Sequence, residues 1–200
     1  MGRLVEQGGW VLVVIAVLSL VAWTLLAFQW QRLRRAAPRG TDRADRILCR
    51  VARGDRMAAL EECRRRHDLV GRLLRAGLSA PNPRRFFAPD RIEPLLRAER
   101  VELGRHLPLI AVLASLAPLL GLLGTILGMV QTFGVITVYG TREVGRFAAG
   151  ISQALVTTQA GLVTALPILV LHGWLRGRVR LGIDTARLFA RRIRSALEHG

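Results

Sequence analysis

The sequence predicts an all-α membrane protein with three transmembrane helices, a helical cytoplasmic loop, and second and third spans that extend into the cytoplasm. Three stretches of the 200-residue chain contain no Asp, Glu, Lys or Arg: residues 7–31, 107–141 and 147–175. Each is longer than the roughly 20 apolar residues that a helix needs to cross a hydrocarbon core, and in lipid the backbone polar groups must bond within the helix. Three such stretches in so short a chain argue against the buried helices of a soluble protein.

The distribution of Arg sets the predicted orientation. All 30 basic residues are Arg, and the formal net charge is +16. Residues 31–106 hold 20 Arg and 10 acids, and residues 176–200 hold 7 Arg and 2 acids. The positive-inside rule places both segments in the cytoplasm. We therefore expect a protein of the bacterial cytoplasmic (inner) membrane, with its N-terminus in the periplasm and its C-terminus in the cytoplasm.

The first span is predicted as an anchor and not as a cleaved signal peptide. Its apolar run is too long for a signal peptide, Glu6 offsets Arg3, and Arg32 follows directly as part of a stop-transfer segment. Trp10 and Trp30 flank it as an aromatic belt would. The predicted segments are a periplasmic N-terminus (1–8), the first transmembrane helix (9–30), a cytoplasmic loop (31–106), the second transmembrane helix (107–138), a periplasmic turn (139–146), the third transmembrane helix (147–175) and a cytoplasmic tail (176–200).

Apolar residues at three- and four-residue spacing predict helices within the loop. The first two are separated by Gly54, and a Pro-containing run from Ala80 to Pro83 ends the third. Asp90, with Glu93 three residues later, predicts an N-cap, from which one uninterrupted helix would run into the second span. The three predicted loop helices cover Ala44 to Val51, Asp55 to Arg66 and Leu69 to Leu78.

The second and third spans each carry one face of small and hydroxyl-bearing residues at helical spacing. Such faces allow close helix packing and hydrogen bonds between helices, or they line a narrow polar pore. On the second span the face contains Ala114, Pro118, Gly121, Gly124, Thr125, Gly128 and Thr132; on the third it contains Gly150, Gln153, Ala154, Thr157, Gly161 and Thr164, with Thr158 at its edge. We expect helix packing at Gly121, Gly124, Gly128, Gly150, Gly161 and the two central prolines, Pro118 and Pro167.

No catalytic pattern, metal site or cofactor site is predicted. The four His are scattered, and Cys49 and Cys63 are 14 residues apart without a paired His cluster, which is more typical of reduced bystanders than of a metal site or a disulfide. A proton route through lipid normally needs a titratable group, yet these spans offer only Thr and Gln. A single Thr in a membrane helix usually bonds back to its own turn, so the alternative to a polar pathway is local hydrogen bonding. If protons move here, the carboxylate must come from another polypeptide.

Two long runs carry a resemblance to a known family. The run from Leu113 to Met129 resembles the second-span signature of the MotA/TolQ/ExbB proton-channel family, and the run from Gly150 to Thr158, followed by Gly161-Leu162 and Ala165-Leu166-Pro167, resembles its third-span signature. The loop pieces from Arg53 to Leu60 and from Leu73 to Leu78 are similar in kind. Among members, ExbB-type biopolymer transport proteins are the most similar.

The resemblance implies a homopentamer around a lumen that encloses single helices of an ExbD-like partner, whose transmembrane Asp is the titratable group. Proton flow would then energise a TonB-like protein. Thr125 and Thr158 occupy the positions of lumen-facing threonines, and the predicted pathway residues are Thr125, Gln153, Thr157 and Thr158. Many ExbB and TolQ proteins carry Glu where this chain has Gln153. Because Gln cannot hold or release a proton, proton transfer in this chain would depend more heavily on the partner's Asp.

Two alternative functions are compatible with parts of the sequence. One is a TolQ-like subunit or a MotA-like stator, although no feature of residues 31–106 specifies engagement with a rotor. The other is a membrane-attached nucleic-acid binder, which the charge suggests. Arg in the loop is spread over every face and mixed with acids, without a clustered stripe or binding motif, so no nucleic-acid partner is expected. Anionic membrane lipids are the expected partners of Arg near the spans.

Overall fold

The computed structural model describes residues 2–36, 42–64, 68–139 and 144–199, and its regular structure is helical as predicted. Among the described residues, three helices are long and apolar enough to cross a membrane, and they correspond to the three predicted spans. The helices are α1 (Gly2–Ala36), α2 (Asp42–Ala52), α3 (Arg56–Arg64), α4 (Leu69–Ser79), α5 (Pro83–Phe86), α6 (Pro89–Leu103), α7 (Leu107–Tyr139) and α8 (Val144–His199). Residues 140–143 of the predicted turn at 139–146 lie outside the described residues, and its other four residues belong to the end of α7 and the start of α8.

The chain divides into two compact units near the ends of the charge-free stretches. The apolar unit comprises Met1–Phe28 and His106–Gly173, and the arginine-rich unit comprises Gln29–Arg105 and Trp174–Gly200. The apolar unit therefore holds most of α1, all of α7 and the first half of α8. Helices α1 and α8 contribute residues to both units because each continues well past its charge-free stretch.

Within its charge-free stretch, helix α1 is apolar on nearly all sides, but its side chains that are buried within the apolar unit lie on one face. The buried side chains are Val11, Ile15, Ala22 and Leu26, which recur at the spacing of a single helical stripe. Bulky side chains on the rest of the surface remain exposed, including Leu20, 69% exposed. This exposed apolar surface suits contact with acyl chains.

The loop helices of the arginine-rich unit end where capping groups are available. Gly54, at φ +77°, provides the left-handed turn between α2 and α3 that a side chain would disfavour. Asp68 caps α4 by accepting from the Gly71 N–H at 3.1 Å. The Arg56 guanidinium donates to the carbonyl oxygens of Leu78 and Ala80 at the far end of α4, both at 2.7 Å. Helices α2, α3 and α4 thus lie where the sequence predicted helices.

Two predictions for the segment before the second span are wrong. Helix α6 begins at Pro89 with Ala88 as its N-cap, so Asp90 lies inside the first turn and is not the cap. The helix also ends at Leu103, and α7 starts afresh at Leu107, so there is no uninterrupted rod. Gly104 is a poor helix interior residue and occupies the C-cap. The Gln29 side chain donates to the Leu103 carbonyl, an acceptor that helix continuation would otherwise use. Helix α8 does continue through the tail to His199.

Ion pairs join the tail of α8 to the loop inside the arginine-rich unit. Arg187 donates to both carboxylate oxygens of Glu93, at 2.8 and 2.9 Å, and Arg192 donates to Asp45 at 3.2 Å. The hydrogen bond from Arg187, aided by its positive charge and that of Arg191, lowers the pKa of Glu93 despite partial burial. Part of the arginine excess is therefore used in internal pairing.

Candidate functional site

The contact between α7 and α8 in the apolar unit is built from residues without bulky side chains. A methyl group placed on Gly124 would lie 2.6 Å from Thr157 Cβ, and one on Gly128 would lie 2.9 Å from Ala154 Cβ. Both distances are far below the 3.4 Å at which ordinary contact begins. We call this contact the glycine–threonine seam; its members are Ala117, Gly121, Gly124, Gly128 and Thr132 of α7, and Gly150, Ala154, Thr157, Thr158 and Gly161 of α8.

The seam pairs the two helices in antiparallel order. A methyl group on Gly161 would lie 2.6 Å from the Ala117 carbonyl oxygen, whereas one on Gly150, near the start of α8, would strike the Thr132 hydroxyl. Rising residue numbers on α7 therefore meet falling numbers on α8. The seam residues recur every three or four positions on each helix, so they form a continuous stripe of small side chains along which the backbones approach closely.

One hydroxyl of the seam bonds across the two helices. Thr158 Oγ1 lies 3.2 Å from the Gly121 carbonyl oxygen and 3.3 Å from the Ala154 carbonyl oxygen, so its hydrogen is shared between α7 and its own helix. This contact is possible because Gly121 has no side chain: a methyl group there would lie 3.1 Å from Thr158 Cα. The glycine and the threonine form one structural pair.

The other seam hydroxyls and Thr125 bond to their own helices. Thr125 donates to the Leu122 carbonyl at 2.6 Å, Thr132 to the Gly128 carbonyl at 2.7 Å, and Thr157 to the Ala154 carbonyl at 2.8 Å. These three threonines therefore show the local hydrogen bonding that the sequence analysis gives as the alternative to a polar pathway. Their oxygen lone pairs are still able to accept a further hydrogen bond where the side chain is accessible.

The predicted pathway residues separate into two kinds by burial. Thr125, Gln153 and Thr158 are half-buried, so each retains an accessible side in the single chain. Thr157 is 1% exposed and lies against Gly124, within the contact between the helices. Gln153 makes no side-chain hydrogen bond to any residue that the structure describes, and its amide is available to a ligand or a partner.

The predicted packing residues also fall into two groups, the glycines and the prolines. Gly121, Gly124, Gly128, Gly150 and Gly161 all lie in the seam. The two prolines are half-buried, and the helices continue on both sides of each, so neither ends a span. Ala117 was not among the residues predicted for the face of the second span. Its position four residues before Gly121 nevertheless repeats the small-residue spacing that identified the others.

Two contacts near the ends of the spans had no sequence signal of their own. In the apolar unit, His106 packs edge-on against Phe28, with ring centroids 5.6 Å apart. In the arginine-rich unit, the buried Gln29 amide bonds to Leu103, 74 residues away. Such pairings depend on the fold and cannot be read from local spacing.

The chemistry available at the seam is that of neutral hydrogen bonding. The charge-free stretches that form it contain hydroxyls, amides and backbone carbonyls but no carboxylate. In the part of the chain that the structure describes, no group of His, Cys, Asp or Glu is arranged to hold a metal ion. The fold and the seam together define a helical integral membrane protein with a close-packed pair of spans.

Comparison with known proteins identifies the family. The profile of the MotA/TolQ/ExbB proton channel family matches residues 65–187, more than half of the sequence, and the chain belongs to that family. A putative biopolymer transport protein, ExbB-like 1 of Synechocystis sp., is 34% identical over 170 residues, covering 80% of this chain and 64% of the relative.

Two further relatives match shorter segments. Biopolymer transport protein ExbB of Aquifex aeolicus is 40% identical over 79 residues, covering 40% of this chain and 53% of the relative. The Tol-Pal system protein TolQ of Pseudomonas aeruginosa is 30% identical over 110 residues, covering 51% and 48% respectively. The chain thus spans between about half and just under two thirds of the length of these curated relatives.

Proposed function

We propose that this chain is an ExbB-like subunit of an inner-membrane motor that uses proton flow, together with an ExbD-like partner, to power TonB-dependent transport across the outer membrane. Family membership and the relatives named as ExbB biopolymer transport proteins support this proposal. The observation that carries it is the seam: two spans are held in close contact, with hydroxyls and an amide beside the contact and no acid of their own.

The accessible polar groups suit a carboxyl group supplied by a partner helix. A carboxyl group in lipid is costly unless it is hydrogen-bonded. The protonated form can donate to the oxygen of Thr125 or Thr158, and the ionised form can accept from the Gln153 amide. Gln153 and Thr158 are five residues apart on α8, about 7.5 Å along the axis and about 140° around it, so a partner's carboxyl group would have to move both along and around this helix to pass from one to the other.

The seam gives each subunit a fixed pair of helices with which to surround such a partner. We propose a homopentamer whose lumen is lined by Thr125, Gln153 and Thr158. Thr157 contributes to packing behind this surface, because its side chain is enclosed between α7 and α8. The five seam glycines keep the pair close. The proposed orientation has the N-terminus in the periplasm and the arginine-rich segments in the cytoplasm.

The test is co-purification with a single-span protein that has an intramembrane Asp and is encoded beside this chain. Native mass spectrometry should show a complex with one fixed ratio of the two proteins. Proteoliposomes containing that complex should conduct protons, and an Asp→Asn change in the partner should abolish the flux. Recovery of this chain without the partner, or flux that survives the Asp→Asn change, would contradict the proposal.

The TolQ relative supports a second candidate, a subunit of a Tol-type motor that maintains the outer membrane. The two roles predict different deletion phenotypes in the source organism. A TonB-type role predicts loss of energised uptake with an intact envelope, whereas a Tol-type role predicts leakage and division defects with uptake retained.

A further inference from the structure

Two tryptophans stack in the arginine-rich unit, and an arginine lies over each. The rings of Trp30 on α1 and Trp174 on α8 have centroids 4.6 Å apart and planes 18° apart. The Arg34 guanidinium carbon lies 5.6 Å from the Trp30 ring centroid, and that of Arg178 lies 4.6 Å from the Trp174 centroid. Each arginine follows its tryptophan by four residues, one helical turn. We call these four residues the Arg–Trp cluster.

The two arginines of the cluster carry charge that no residue described by the structure neutralises. Arg34 and Arg178 are exposed, and neither forms an ion pair with any residue in the described ranges, whereas the nearby Arg32 pairs with Glu102. The flanking sequence is strongly basic: residues 29–36 and 174–183 contain six Arg and no acid. An anion approaching the cluster therefore meets no competing carboxylate on these two segments.

The cluster lies where each helix leaves its charge-free stretch. The first stretch ends at residue 31 and the third at residue 175, so Trp30 and Trp174 each occupy the second-to-last position of a charge-free stretch. Tryptophan is enriched at this depth, the level of the lipid headgroups. The stack places the ends of the two runs side by side.

We propose that the Arg–Trp cluster is a binding site for the phosphate of an anionic phospholipid, in the leaflet on the side of the arginine-rich segments. Contact with a ring face orients a guanidinium and leaves its N–H donors available, and the planar donor fork of Arg matches a phosphate in a bidentate manner. Two such groups beside one stacked pair form a local site, distinct from the diffuse attraction of anionic lipid to basic segments. The inference depends on membrane insertion and is independent of the motor function.

The experiment measures lipid retained by the full chain in detergent, using native mass spectrometry with added phosphatidylglycerol or phosphatidylcholine. The wild type should retain phosphatidylglycerol in preference to phosphatidylcholine. The Arg34→Gln/Arg178→Gln variant should retain phosphatidylglycerol at least about tenfold more weakly, because it loses charge-assisted hydrogen bonds to the phosphate. A matched control is Arg75→Gln/Arg84→Gln, which removes the same charge from two exposed loop arginines that form no ion pair within the described residues. It should bind as the wild type does.

A second variant keeps the test decisive if the Gln substitutions disturb folding. Arg34→Lys/Arg178→Lys preserves the net charge but loses the planar donor fork, so retention of phosphatidylglycerol should still fall. Circular dichroism and size-exclusion chromatography check that each variant is folded. Undiminished retention in the Lys variant, equal losses in the cluster and control variants, or equal binding of the two lipids by the wild type would each overturn the proposal.

Discussion

The seam makes a sharp prediction at Gly161, where the space for a side chain is closed by backbone. A methyl group at this position would lie 2.6 Å from the Ala117 carbonyl oxygen and 3.3 Å from the Gly121 Cα. Backbone atoms cannot rotate away as a flexible side chain does. To restore an ordinary contact of 3.4 Å, the helices of a Gly161→Ala variant must separate locally by about 0.8 Å.

The magnitude follows from two opposing effects. A gap of this size removes a quarter to a half of the dispersion energy of each affected atom pair, and overpacking of this kind costs about 1–3 kcal/mol. Ala is a better helix residue than Gly by about 0.5–1 kcal/mol, which offsets part of the loss. Relative to the wild type, we therefore expect Gly161→Ala to lower the free energy of unfolding by roughly 0–2.5 kcal/mol.

The assay is thermal unfolding of the purified chain in detergent, with Gly173→Ala as the matched control on the same helix. A methyl group on Gly173 meets nothing within 4 Å, so that variant should be as stable as the wild type or slightly more stable. The Tm of Gly161→Ala should fall below that of the control by roughly 2–12 °C, because both variants gain from Ala and they differ by the overpacking cost of about 1–3 kcal/mol, at about 2–4 °C per kcal/mol for a chain of this size. Equal Tm values for the two variants would refute the close-packed seam.

Three further predictions concern hydrogen bonding and charge. Thr158→Val removes the hydrogen bond across the seam and should lower the free energy of unfolding by about 0.6 kcal/mol. Thr125→Val removes only a bond within its own helix and should be less destabilising. Under the proposed function, both substitutions should reduce uptake, assayed in a complemented deletion strain. Gln153→Glu places a titratable group beside the proposed lumen and should raise proton leak in proteoliposomes. Because the pKa of Glu93 is lowered by Arg187, the ion pair should stabilise the fold fully above the ordinary carboxyl pKa of about 4.3. That contribution should be lost as the pH falls through the lower pKa of the folded state.

Each of these predictions has a result that contradicts it. Unchanged uptake in both threonine variants would remove them from the proposed pathway. Gross misfolding of Gln153→Glu would place that side chain in the packed interior. For the ion pair, the comparison is wild type against Glu93→Gln by circular dichroism melts at pH 7 and pH 3. The wild type should be more stable than Glu93→Gln at pH 7, and this difference should shrink at pH 3. A difference that is larger at pH 3 than at pH 7 would contradict the prediction.

Sequence patterns predicted the helices well where local chemistry decides them. The three spans follow from long runs without charge, and α2 to α4 follow from apolar spacing with a glycine and a proline-containing break. The N-cap before α6 was misplaced, since a proline at the first helical position competed with Asp90 for the start. The break before α7 was missed, because the amide that bonds the end of α6 comes from Gln29, on a helix far away in the sequence.

The sequence by itself determined that three helices are apolar enough to span a membrane, that two of them carry faces of small residues, and that neither of those faces contains an acid. These properties depend on composition and on helical period, which act over a few residues. Only the tertiary structure decided that Gly121 lies against Thr158, that Thr157 is enclosed while Thr125 stays accessible, and that two tryptophans stack beneath arginines that form no ion pair with a described residue. Those outcomes depend on which surfaces meet, and that is fixed by the packing of residues that lie tens of positions apart.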